Sequence, residues 1–289
     1  MTSVRNGERL WALRLIARHG CHRASLRIGA ALLPLLPASA QVSIAEAAFA
    51  LFGLLLPSVR QRRAARTLEQ LGHAPSLAHA LATRFRARHW LHIARARQLQ
   101  SLPFPALQCV LRGMTWLDPA ALWTASAGRQ RVICLLPSGD INLAVGALLD
   151  RPGAPAHYFI NSMHHDNSPI HRTLLALQRQ GHRLDIGRAP RSGEAWRMLR
   201  RGAAVVTVLD PYPWCRPGET AEPAPLRLAR LARAPVLLLG HRCDGSAVGT
   251  LHVLGEYSAE CIAGGATALY TAAHAFLAAA PHDWRDLDR

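Results

Sequence analysis

The sequence predicts an α/β fold: a mixed, mostly parallel sheet flanked by helices, preceded by an N-terminal helical region. Three observations carry this expectation. Val132–Leu136, Ala203–Leu209 and Pro235–Gly240 are short apolar runs bounded by turn residues, the signature of buried strands. Between them, segments such as Glu194–Arg201 and Leu226–Arg233 carry apolar residues at helical spacing. Strands and helices alternate, as they do in a sheet covered on both faces.

Taken in order, residues 1–27 read as an arginine-rich amphipathic helix, with Trp11, Leu13, Leu15 and Ile16 among Arg9, Arg14 and Arg18. Such a helix either lies on an acidic membrane surface or packs one face on the body. Residues 28–59 are almost uncharged, but Pro34, Pro37, Gln41 and Glu46 interrupt the run. Two short helices fit it better than one bilayer span, which needs about 20 uninterrupted apolar residues. Arg60, Arg62, Arg63 and Arg66 follow, and residues 60–100 read as helices with Leu68, Leu71, Leu77, Leu81, Phe85, Trp90 and Ile93 at helical spacing. Val132–Leu136 leads through Pro137-Ser138-Gly139-Asp140 into a helix from about Asn142 to Leu149. Ala156–Ile160 is a second strand, Ile170–Gln180 a helix, and Ala203–Leu209 a strand ending at Asp210. After Pro235–Gly240, Asp244-Gly245 signals a hairpin into strand Gly249–Leu254, and 258–280 reads as one alanine-rich helix. Residues 1–100 form the helical region and 101–289 the α/β core, continuous with 43–100.

The chain has 289 residues, half of them hydrophobic and 18% charged, which excludes disordered, collagen-like and disulfide-scaffold classes. Its net charge is +16, carried without a single lysine. A surface this rich in arginine suits anionic lipid headgroups, an acidic partner protein or nucleic acid. No zinc-finger, RNP-like or helix-turn-helix pattern accompanies it, so nucleic acid is not an expected partner. Six scattered cysteines without a C-x-x-C pair point to reduced thiols in a cytoplasmic setting.

Four blocks stand in order along the chain. They are Phe52–Leu56 with Arg60–Leu68; Ile133–Leu143; Leu199–Asp210; and Leu226–Val236 followed by Arg242. Together they resemble the lipid A late acyltransferase family, the lauroyl and myristoyl transferases of the lysophospholipid-acyltransferase-like fold. The resemblance implies transfer of an acyl group from a thioester of acyl carrier protein or CoA, on the inner face of a bacterial membrane. The thioester is a co-substrate, and neither cofactor nor metal is implied.

The catalytic block departs from the family's H-x-x-x-x-E/D, in which histidine is the base and the carboxylate orients it. Aligned on Gly139, the histidine position holds Pro137 and the carboxylate position Asn142. Proline accepts no proton, so the standard mechanism does not carry over. Three substitutes are on hand. Ser138 or Asp140 takes a role in the same turn, Asp140 being alternatively a helix N-cap. His164 or His165, before Asp166, supplies the base. Or an amine acceptor needs little base, and backbone N–H groups of the turn, with Asn142, hold the oxyanion. Asp210 and Trp214 border a pocket or merely cap a turn, while Arg188, Arg200 and Arg201 grip a phosphate or are solvated.

The departed motif points to a specialised lipid or natural-product pathway, with an amine or hydroxyl acceptor. The alternative is a non-catalytic relative that binds an acyl carrier or partner enzyme.

Overall fold

A computed structural model describes residues 28, 31–32, 35–55, 58–125, 128–149, 151–162, 174–175, 177–179, 181, 183–188, 192–211, 222–243, 248–285 and 287–288. Helices α1 (Ala38–Leu55), α2 (Val59–Gln70), α3 (Pro75–Ser101) and α4 (Phe104–Arg112) come first. Strand β1 (Thr115–Leu117), helix α5 (Leu122–Ala125), β2 (Val132–Leu135), α6 (Ile141–Leu149), β3 (Tyr158–Ser162) and β4 (Leu184–Arg188) follow. The chain continues through α7 (Ser192–Arg200), β5 (Ala204–Val208), α8 (Ala224–Ala232), β6 (Val236–Arg242), β7 (Thr250–Tyr257), α9 (Ala259–Ala263) and α10 (Thr267–Ala279). A short 3₁₀ turn, Pro281–Asp283, closes it.

The fold is α/β, with seven strands in the order β1-β7-β6-β2-β5-β3-β4. Every neighbouring pair is parallel except β6 and β7, which run antiparallel from Arg242↔Thr250 to Val236↔Tyr257. The expected turn at Asp244-Gly245 between them lies outside the described residues. Strand alternation splits the core into two. Val132, Cys134, Val205 and Leu238 face a cluster that includes Leu68, Phe85, Leu199, Leu226 and Leu269 from α2, α3, α7, α8 and α10. Ile133, Leu135, Val206 and Leu239 face Leu107, Trp123 and the buried residues of α6.

Residues 28–59 hold two helical segments, as expected: Ile28, Ala31 and Leu32 are helical, Leu35–Pro37 leave the α-helix, and α1 follows from Ala38. The polar residues that break its hydropathy, Gln41 and Glu46, are held by arginines of α3 and so do not interrupt the backbone. One expectation needs correction: the single helix expected over 258–280 is two, because Gly265 (φ 102°) and Ala266 (φ 55°) turn the chain left-handed between them. Strands β1 and β4 escaped sequence reading. β1 has three residues, and β4 carries Asp185 and Gly187 in a run of five.

Candidate active site

β2 ends at the C-terminal edge of the sheet, where α/β folds place their sites. Pro137–Asp140 turns the chain into α6, with Gly139 at φ 58°. A Cβ on Gly139 would collide with the ring and carbonyl of His241 on the neighbouring β6. The Asp140 N–H donates to His241 Nδ1 at 2.9 Å, and His241 Nε2 lies 2.8 Å from the Val248 carbonyl. Nδ1 must accept, so the proton sits on Nε2 and is donated to Val248. His241 is 1% exposed, and both its nitrogens are engaged.

The rest of the turn is tied down as tightly. Ser138 Oγ accepts from the His241 N–H at 3.3 Å, and the Ser138 N–H donates to the Leu136 carbonyl. The Gly139 N–H donates to the Asp283 carbonyl, and the Arg285 N–H to the Pro137 carbonyl. Asp140 Oδ1 accepts from Asn142 N–H (3.0 Å) and Leu143 N–H (3.2 Å), the N-cap geometry of α6. The N–H groups of Ser138, Gly139, Asp140, Asn142 and Leu143 therefore all point at acceptors inside the protein. None of these five is free to hold an oxyanion in this arrangement, and Ser138 is buried. The Asn142 side-chain oxygen is also buried, with no hydrogen-bond partner among the described residues.

Helix α3 lies against this turn. Its seam Leu81, Phe85, Arg88, His92, Arg95 advances by three or four residues and so keeps to one face. Arg88 donates to Asp283 Oδ1 (2.7 Å), Glu46 Oε1 (3.0 Å) and the Cys243 carbonyl (2.9 Å), joining α1, α3, the residue after β6 and the 3₁₀ turn. Arg95 donates from Nε and one Nη to a single atom, Gln41 Oε1, at 3.2 and 2.9 Å. Gln41 thus lies beside Arg95 and Glu46 beside Arg88, so α1 and α3 run antiparallel.

Between the two arginines, His92 Nδ1 stands 3.9 Å from Asp140 Oδ2, with 18% of its side chain exposed. Cys243 Sγ is 3.7 and 3.9 Å from the two ring nitrogens, a contact in line with neither. Burial first, then the neighbouring His241 ring and the Arg95 guanidinium, holds His92 well below the usual histidine range, so it is neutral at pH 7. Burial, with Asp283 and Asp140 nearby, pushes the Cys243 thiol up and keeps it protonated. It is therefore no nucleophile at neutral pH.

The other expected residues fall in different places. Asp210 follows β5 at the same edge as the turn. Arg188 ends β4 at that edge too. Arg200 and Arg201 sit exposed at the opposite edge, before β5 begins, with Arg200 over the Trp196 ring. His164, His165 and Trp214 lie outside the described residues. Sequence reasoning missed His92, His241, Arg88, Arg95 and Asp283. A signal existed for three of them: polar side chains continue the apolar seam of Leu81 and Phe85 along α3.

No protein-family model matches the chain, and no curated protein matches it. No helix among the described residues is long and apolar enough to cross a membrane.

Proposed function

We propose that the chain transfers an acyl group from a carrier-protein or CoA thioester to an amine or hydroxyl acceptor, with His92 as general base and Asp140 facing it. One observation carries this reading: a neutral, partly exposed histidine and a carboxylate meet at the end of β2, where the resemblance puts the catalytic turn. The base is recruited from α3 instead of from the turn. With its proton on Nδ1 toward Asp140, His92 presents a basic Nε2. The acceptor O–H or N–H loses its proton to Nε2 as its heteroatom attacks the thioester carbonyl carbon. The C–S bond then breaks, and the proton passes from Nε2 to the departing sulfur. The 3.9 Å gap exceeds a hydrogen bond, as catalytic contacts often do before substrate arrives.

The non-catalytic alternative has its own support, since Asp140 caps α6 and the turn is closed upon itself. Intact-mass spectrometry of acyl-loaded carrier protein, incubated with the chain and a panel of amine and hydroxyl acceptors, separates the two. Acyl loss from the carrier with matching gain on an acceptor is the expected result. Carrier or acyl binding without transfer selects the alternative.

Docking of the chain on an anionic membrane is supported by the first helices. Ile44, Leu51 and Val59 are half or more exposed. Arg62, Arg63 and Arg66 are exposed on α2, the helix that Val59 begins.

A further inference from the structure

Arg95 is 5% exposed and has no carboxylate within 4 Å among the described residues. Its hydrogen bonds all go to one neutral atom, Gln41 Oε1, from Nε and one Nη. A guanidinium carries five N–H donors in two forks. One edge is closed by Gln41, while the end-on fork formed by Nη1 and the second Nη2 proton has no acceptor among the described residues. A buried cation whose hydrogen bonds go only to an amide is costly. Arg88, about two helical turns away, shows the ordinary solution, with Glu46 and Asp283 both in contact. The nearby Asp140 does not fill that role for Arg95, because Oδ1 accepts from two backbone N–H groups and Oδ2 faces His92.

We infer that Arg95 is an anion-binding residue, whose open fork takes a carboxylate or phosphate carried by the small-molecule substrate. An end-on fork matches two oxygens of such a group, and the surrounding low dielectric strengthens the contact. Gln41 fixes the guanidinium so that the fork is set before the ligand arrives. Arg95 stands one helical turn from His92 on α3, so an anion gripped there places the rest of the ligand beside the base. That the ligand is the acyl acceptor rests on the acyl-transfer reading; the anion site does not.

The test therefore reads binding without turnover. Thermal melting of the full chain is followed in inorganic phosphate, in acetate and in chloride at matched ionic strength. Phosphate or acetate should raise Tm above chloride by about 3 °C at ten times its Kd. A response to phosphate alone assigns a phosphate-bearing ligand, and one to acetate alone a carboxylate. Arg95→Gln should abolish the rise, Arg95→Lys should weaken it for want of a fork, and the surface control Arg201→Gln should leave it intact. Gln41→Glu retains Arg95 and supplies the missing charge internally. It should raise the melting temperature in chloride and suppress the anion response, even if Arg95→Gln does not fold. No anion-specific rise in the unaltered chain, or a rise that survives Arg95→Gln or Gln41→Glu, overturns the inference.

Discussion

The Asp140 N–H is bound by Nδ1 of His241 at 2.9 Å, so the first residue of the α6 turn hangs on a side chain of the adjacent strand. With Nε2 committed to Val248, this histidine is a post and not a base. It fixes where the Asp140 carboxylate points, and thereby the spacing to His92. Gly139 and Gly249, both at positive φ, let the backbone close on the two sides of its ring.

Removing the post is expected to loosen the whole turn. His241→Ala leaves the Asp140 N–H unsatisfied and opens a cavity, a loss of about 3 kcal/mol. Chemical denaturation should show the midpoint fall with an unchanged slope. His241→Gln, which can still accept from that N–H, should recover part of the loss.

Gly139→Ala introduces two faults at once, a non-glycine residue at φ 58° and a methyl group driven into the His241 ring. A destabilisation of roughly 3 kcal/mol or more is expected, against under about 1 kcal/mol for Gly193→Ala, where nothing lies within 4 Å of the added methyl. Equal effects at the two sites would contradict the packing described.

Arg88 and Asp283 form the least exposed ion pair described, with side chains 15% and 3% exposed. Asp283→Ala leaves the Cys243 N–H without its acceptor and removes one of the two carboxylates at the arginine. A loss of about 3 kcal/mol is expected. The double change Arg88→Met with Asp283→Leu should lose less than the single changes sum to, which a double-mutant cycle measures.

Stability should fall as the medium is acidified below the ordinary histidine range. His92 is held below its unfolded value of 6.5, so between the two values the unfolded chain binds the extra proton. Stability is then fully present above that range and declines as pH drops, by at most about 1.4 kcal/mol per pH unit for this one group. His282, also lowered chiefly by burial, acts in the same direction. Replacing His92 by Gln should flatten the slope measured by denaturant unfolding between pH 7 and 5. A slope that His92→Gln leaves untouched would show that His92 does not titrate there.

Replacing Arg62, Arg63 and Arg66 together by Gln should weaken sedimentation with anionic vesicles by roughly 100-fold, at about 1 kcal/mol per charge near the surface. Binding to neutral vesicles should not change. Equal binding by the variant would remove α2 from the docking face.

The parallel core was legible because its strands are continuous apolar runs closed by Pro, Gly or Asp, and a buried strand leaves no other pattern. β4 was not legible: Asp185 and Gly187 interrupt it, and its pairing with β3 is a tertiary fact. The turn Pro137–Asn142 was located by its residues, and the cap role of Asp140 was one of two readings they allowed. His92 and Arg95 were hidden for another reason. Their neighbours in sequence belong to an arginine-rich helix, and only packing of α3 on the sheet edge separates the inward seam from the solvated face. The polar breaks at Gln41 and Glu46 became intelligible only as partners of that seam.

The most direct test of the account is the rate of acyl loss from loaded carrier protein, read by intact mass, for the unaltered chain, His92→Gln and a His164→Ala/His165→Ala double variant. The account predicts transfer to an acceptor by the unaltered chain. It predicts a fall of at least about 100-fold in His92→Gln, the usual contribution of a positioned base, and little change in the double variant. Transfer that survives in folded His92→Gln, or that disappears only in the His164 and His165 variant, would contradict it.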